Sequence, residues 1–124
     1  MAAGLPPEKR VVTDHGRLRS AFVEPYLCTN VLIQGITLRR ALFSQLHPTL
    51  CSNVTIDGVT TGDTTSLNSD GCDPESCDHV VIKNCTFDAN DDCIAIKSGR
   101  DADGRRVNTP SQNIVILGCS FRGR

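Results

Sequence analysis

Short runs along this chain alternate apolar and polar positions with period two, and the runs recur. Four segments show the pattern: residues 28–38 (CTNVLIQGITL), 51–60 (CSNVTIDGVT), 77–87 (CDHVVIKNCTF) and 111–121 (SQNIVILGCSF). Each reads as a polar turn, a β-branched run, a two-residue turn and a second short run. Val, Ile and Thr at period two specify strands, and no helical period reaches comparable strength. The markers Asn30, Asn53, His79 and Asn113 lie 23, 26 and 34 residues apart.

A repeat of this length built only of strands predicts a solenoid, in which each coil covers its apolar face with its neighbours. Leucine-rich repeats have a similar period but need a Leu-x-x-Leu-x-Leu pattern that the chain lacks. The expectation is therefore an all-β fold, a single-stranded parallel β-helix. The last offset is the longest because residues 99–110 (GRDADGRRVNTP) have loop composition and are expected to bulge out between rungs.

Length and charge narrow the reading. With 124 residues the chain has room for one core. A net charge of −1, with both signs mixed along the chain, gives no footprint for nucleic acid and no polybasic membrane anchor. Its apolar runs are far too short to span a bilayer. Residues 1–20 read as a lead-in and residues 21–124 as the β-helix unit. The opening MAAGLPPEKR lacks the apolar stretch of a secretory signal, which leaves a cytoplasmic protein or a missing true N-terminus.

Seven cysteines would suggest disulfides or zinc, yet the number is odd and no C-x-x-C pair occurs. The repeat accounts for them better. Cys28, Cys51 and Cys77 share one coil position, and Cys85 and Cys119 share another, each two residues before a Phe. Cys72 and Cys93 follow acidic positions. All seven are expected to be small, buried residues stacked rung on rung. Asn30, Asn53 and Asn113 are expected to stack at a turn. The glycosylation sequons at Asn53 and Asn84 are read as chance matches within the repeat.

Unusual chemistry sits in NSDGCD (68–73) and NDDCIAIKSG (90–99), at the third strand of successive coils. Asp70 and Asp92 are 22 residues apart, about one coil, which places them on neighbouring rungs of one face. A bulge at Asn90 would turn both Asp91 and Asp92 outward. Converging carboxylates repel, so at least one is expected to have a raised pKa. That suits a glycosidase, which needs one protonated acid and one ionised group to activate water. A solvated acidic turn or a calcium site would use the same residue types.

Asn68-x-Asp70-Gly71 followed by Asp91-Asp92-Cys93 resembles the first two motifs of glycoside hydrolase family 28, the polygalacturonases. The flanking Cys72-Asp73-Pro74-Glu75-Ser76-Cys77 and Ile96-Lys97-Ser98-Gly99-Arg100 are similar to bacterial, exo-acting members. The resemblance runs from about Ala21 to Phe121. It implies a right-handed parallel β-helix and inverting hydrolysis of α-1,4-galacturonosyl bonds in pectin, an acidic polysaccharide. Asp91 would be the general acid, and Asp70 and Asp92 would position and activate water. The carboxyls would then stand about 6.5–9.5 Å apart, as inverting chemistry requires.

Asn68 would orient the cluster, Lys97 would meet a galacturonate carboxylate, and His47 would line the cleft one coil earlier. The competing readings are a solvated Lys97 and a turn histidine at His47. No cofactor or metal is implied, and a monomer is expected. Members of the family are usually secreted or periplasmic.

The family's later Gly-His-Gly and Arg-x-Lys motifs do not follow Phe121, and about four or five coils are present where the family uses about ten. A partial, impaired fragment is therefore expected. Two other functions remain open. One is a calcium-dependent enzyme resembling pectate lyases; the other is a non-catalytic β-helix module that binds polysaccharide or serves as structure.

Overall fold

The structure, a computed structural model, describes residues 19–64 and 66–123. The predicted lead-in lies almost wholly outside the described residues. Each repeat folds as one coil of a parallel β-helix. Strands β1 (Thr29–Gln34), β3 (Ser52–Asp57), β5 (Asp78–Lys83) and β7 (Gln112–Leu117) form one parallel sheet in that order. Strands β2 (Thr37–Arg39), β4 (Thr60–Gly62), β6 (Thr86–Ala89) and β8 (Ser120–Gly123) form the second. The register pairs Thr29 with Ser52, Ser52 with Asp78 and Asp78 with Gln112, so the coil offsets read from the sequence hold.

The third face is a pair of bridge columns rather than a strand ladder. Val23, Leu46, Cys72 and Ile94 form one column, and Tyr26, Thr49, Glu75 and Lys97 the other. The sequence reading expected strands here. Pro25, Pro48 and Pro74 recur between the two columns. Proline has no N–H to give to a ladder, so pairing stops and restarts around it.

Corners are made by residues with positive φ, at four matched places in the coil. Leu27, Leu50 and Ser76 form one set, Asn30, Asn53, His79 and Asn113 the second, Gly35, Gly58, Asn84 and Gly118 the third, and Arg40 and Asp63 the fourth. Gly and Asn are the residues that tolerate this conformation best, which explains their recurrence at the second and third corners. Asn53 donates to Asn30 as the predicted stack requires, whereas Asn113 donates to the Asp78 carboxylate at 2.7 Å.

The core runs up the axis as stacked columns. Val54, Ile56, Val80 and Ile82 come from the first sheet, and Leu38 and Phe87 from the second. Phe121 stacks on Phe87 with ring centroids 6.0 Å apart. All seven cysteines are free, but only Cys51, Cys72, Cys77 and Cys85 are buried, and Cys28 is exposed. Cys28 belongs to the first described coil, Cys93 to the last coil of its face and Cys119 to the last described strand pair, so each has fewer neighbours to cover it.

The stacked thiols also bond to the backbone. Cys77 Sγ–H donates to the carbonyls of Pro48 and Glu75, and its sulfur accepts the Cys51 N–H. Ser111 repeats the arrangement one coil on, donating to Lys97 O and accepting the Cys77 N–H at 3.1 Å.

Residues 99–110 do leave the rung, but they contain a helix the sequence reading missed, α1 (Asp101–Val107). Acidic Asp101 and Asp103 occupy its first turn and Arg105 and Arg106 its last, matching the helix dipole. Asn108, in the left-handed conformation, closes it by donating its N–H to Gly104 O. No residue of α1 is buried, so it carries no apolar period to be read. Among the described residues, no helix is long and apolar enough to cross a membrane.

Candidate active site

Both acidic segments run on the face carrying the bridge columns. Gln45 N–H donates to Asp70 O and Gly71 N–H to Asp92 O, each at 2.9 Å, so the three rungs are bonded in order. Asp70 and Asp92 thus stand on neighbouring rungs, as their spacing requires. Gly71 faces inward. A Cβ there would lie 2.5 Å from Cys93 O and 2.8 Å from Phe87 Cδ1, so only glycine lets the two acidic rungs close over the core.

The chain bends at Asn90 and Asp91, and both Asp91 and Asp92 are exposed. Asn90 holds the bend by donating to Thr64 O at 2.7 Å. Asn68, in the left-handed conformation, donates its side-chain N–H to Asp91 Oδ2 at 2.8 Å. The segment carrying Asn68 is held in turn by Arg19, which donates to Leu67 O at 2.8 Å and lies over the Phe43 ring.

Asp70 is buried, and its Oδ2 accepts from Lys97 Nζ at 3.0 Å. The same ammonium bonds Asp73 Oδ2 at 2.7 Å. Asp73 is fully buried and also accepts the Ser44 hydroxyl. Burial, and then the neighbouring Asp73 charge, push the Asp70 carboxyl above its ordinary range, with the Lys97 hydrogen bond pulling the other way. Burial works against the Lys97 charge, but Asp73 and Asp70 outweigh it and raise the lysine pKa. A raised carboxyl was expected here, but the neighbouring charge responsible is Asp73 rather than Asp91 or Asp92.

The structure therefore links Asn68 to Asp91 and Lys97 to Asp70, with Asp92 on the same bend. His47 sits to one side. Its Nε2 bonds Glu75 Oε2 at 2.8 Å, and its Nδ1 lies 3.6 Å from Glu24 Oε1. Glu75 pairs in register with Lys97, which connects this group to the acidic cluster. Among the described residues, no three His, Cys, Asp or Glu side chains converge as metal ligands would.

Sequence reasoning missed Asp73, Ser44 and Arg19. Asp73 had a signal: it is an acid directly before the proline that interrupts the bridge columns. Ser44 and Arg19 act across 29 and 48 residues of chain and had none.

The profile of glycosyl hydrolases family 28 matches residues 8–123. The chain belongs to that family. A probable polygalacturonase from Vitis vinifera is 33% identical over 94 residues, which are 76% of this family 28 chain and 15% of the relative. One from Arabidopsis thaliana is 28% identical over 89% of the chain and 28% of its own length. The crystal structure of a hyperthermoactive exopolygalacturonase from Thermotoga maritima superposes with a TM-score of 0.77 and 38% identity. That match covers 98% of this chain and 29% of the exopolygalacturonase, and it carries the parallel β-helix assignment. The family 28 chain spans less than a third of the length of each of these relatives.

Proposed function

We propose that this family 28 chain carries the acidic centre of a polygalacturonase-type enzyme, which hydrolyses galacturonosyl bonds of pectin with inversion. The observation that supports it best is the pairing across neighbouring rungs: Asn68 fixes Asp91, while Lys97 fixes Asp70. Two carboxylates held apart by different partners can take different protonation states, which acid–base hydrolysis requires.

Asn68 engages Asp91 Oδ2 and leaves the other oxygen to carry the proton given to the departing sugar oxygen. Asp70 and Asp92 hold the water and accept its proton as it attacks the anomeric carbon from the opposite face. Inverting geometry needs the carboxyls about 6.5–9.5 Å apart to admit that water. Lys97 spends two of its three N–H donors on Asp70 and Asp73, and the third is available to a galacturonate carboxylate. His47, braced by Glu75, lines the cleft toward the preceding rung. The unit acts as a monomer on the polysaccharide.

The test is a reducing-end assay on polygalacturonate with the wild-type chain and Asp91→Asn, alongside binding of oligogalacturonate. The proposal expects weak but measurable release of reducing ends that survives chelation, an inverted anomer as first product, and lost turnover with retained binding in the variant. Binding with no turnover in the wild type would instead identify a polysaccharide-binding module. Unsaturated, UV-absorbing product abolished by chelation would identify a lyase.

A further inference from the structure

We propose that Asp73 is a positioning residue: anchored by Ser44, it clamps the Lys97 ammonium against Asp70 and so presents Asp70 to the water-binding side of the cleft. The inference rests on the reading of Asp70 as a carboxylate that holds water.

Asp73 is fully buried, and its Oδ1 has no hydrogen-bond partner among the described residues. A buried carboxylate with one unpartnered oxygen is a poor contributor to stability, because its desolvation is only partly offset. Stability alone therefore gives no reason for an acid at this position. Geometry does. Lys97 stands one rung beyond Asp73 on a flexible four-carbon stem, and an ammonium on such a stem loses rotamer freedom when it grips a single partner. Asp73 Oδ2, at 2.7 Å, is the closer of its two carboxylate partners. Ser44, on the preceding rung, donates to that same oxygen and fixes its place. The result is a chain of contacts across three rungs, Ser44 to Asp73 to Lys97 to Asp70.

The titratable groups on the surrounding segments are Asp91, Asp92, Cys93 and Lys97 from the rung beyond, His47 from the rung before, and Cys72, Asp73 and Glu75 from Asp70's own rung. Lys97 is the cation among them that contacts Asp70. Asp73 acts on Asp70 in two opposed ways. Its charge disfavours ionisation of Asp70 directly, and its hold on Lys97 favours it.

A double-mutant cycle separates these two effects. The side-chain carboxyl carbon of Asp70 is followed by carbon-13 NMR across pH in the whole chain. The four forms are wild type, Lys97→Met, Asp73→Asn and the double variant. With Asp73 present, Lys97→Met raises the Asp70 midpoint by about one pH unit or more. With Asn at position 73 the clamp is already open, and the same replacement raises it by less than roughly a third of that amount. An equal rise in both backgrounds overturns the proposal, since Lys97 would then grip Asp70 unaided. If Asp73→Asn fails to fold, Ser44→Ala takes its place in the cycle. The rise on Lys97→Met is then diminished if the clamp is real, and an undiminished rise overturns it. The titration needs no turnover, so an inactive chain with an intact clamp sinks only the hydrolase reading. An active chain with additive effects sinks only the clamp.

Discussion

Replacing Gly71 by Ala tests how the acidic rungs sit on the core. The added methyl would lie 2.5 Å from Cys93 O and 2.8 Å from Phe87 Cδ1. Carbon–oxygen contacts settle at about 3.3 Å or more and carbon–carbon contacts at about 3.5–4.0 Å, so both gaps are short by roughly 0.7 Å or more. Neither neighbour can yield easily. Phe87 is fully buried and stacked on Phe121, and Cys93 O accepts the Cys72 N–H at 3.0 Å.

Overpacking costs about 1–3 kcal/mol, and disturbing the rung hydrogen bond adds about 1 kcal/mol, so Gly71→Ala should destabilise by about 2–4 kcal/mol. At a typical urea dependence near 1.5 kcal/mol/M, the midpoint would fall by about 1.3–2.7 M. The control is Gly62→Ala, whose methyl would meet Asp88 Cβ at an ordinary 3.5 Å. It should shift stability by no more than about 0.5–1 kcal/mol in either direction. Urea unfolding followed by far-UV circular dichroism measures both. If Gly71→Ala unfolds within about 0.5 kcal/mol of wild type, the inward placement of Gly71 against Phe87 is wrong.

Three further outcomes are expected. Cys77→Ser should cost less than about 1 kcal/mol, because Ser111 already makes the same bonds one coil on, whereas Cys77→Val should cost about 1–3 kcal/mol by stranding the buried Cys51 N–H; chemical denaturation of both distinguishes the effects. Burial holds the Cys72 thiol well above its ordinary pKa. At mildly alkaline pH a thiol reagent should therefore label exposed Cys28 quickly and Cys72 only after unfolding, as mass spectrometry of timed samples would show. Hydrogen bonds from Asn84 to Asp57 and from Asn113 to Asp78 lower both carboxyl pKa values. Their stabilising contribution is complete above the ordinary carboxylate range and disappears as pH falls through the depressed values. Asp57→Asn and Asp78→Asn should accordingly each reduce the loss of stability on acidification, read from unfolding curves at a series of pH values.

The coil was legible because one device repeats. Asn30, Asn53, His79 and Asn113 mark the same corner, and the β-branched runs after them alternate with period two, so register followed from counting. The third face was less legible, since its pairing is interrupted by Pro25, Pro48 and Pro74 and reduces to bridges. Helix α1 left no trace because it buries nothing, and burial is what writes a period into a sequence. Asp70, Asp91 and Asp92 were found through resemblance to two local motifs. Asp73 was passed over although it lies beside one of those motifs. Its partners, Ser44 and Lys97, are 29 and 24 residues away in the chain, and only the stacking of rungs brings them to it.

The excursion that begins just after Lys97 is tied off at its base. Ser111 N–H donates to Ser98 Oγ at 2.9 Å, and Ser111 Oγ–H donates to Lys97 O at 2.6 Å. The chain therefore departs and returns at nearly one point, and the rung beneath closes as though the intervening residues were absent. Such a knot separates two kinds of change. Residues 100–110 can lengthen, shorten or alter their charge without moving the lysine, so a lineage could trade one reach toward a polymer for another while its chemical centre stays fixed. The base of that excursion, rather than its helix, is the part that such drift would have to spare.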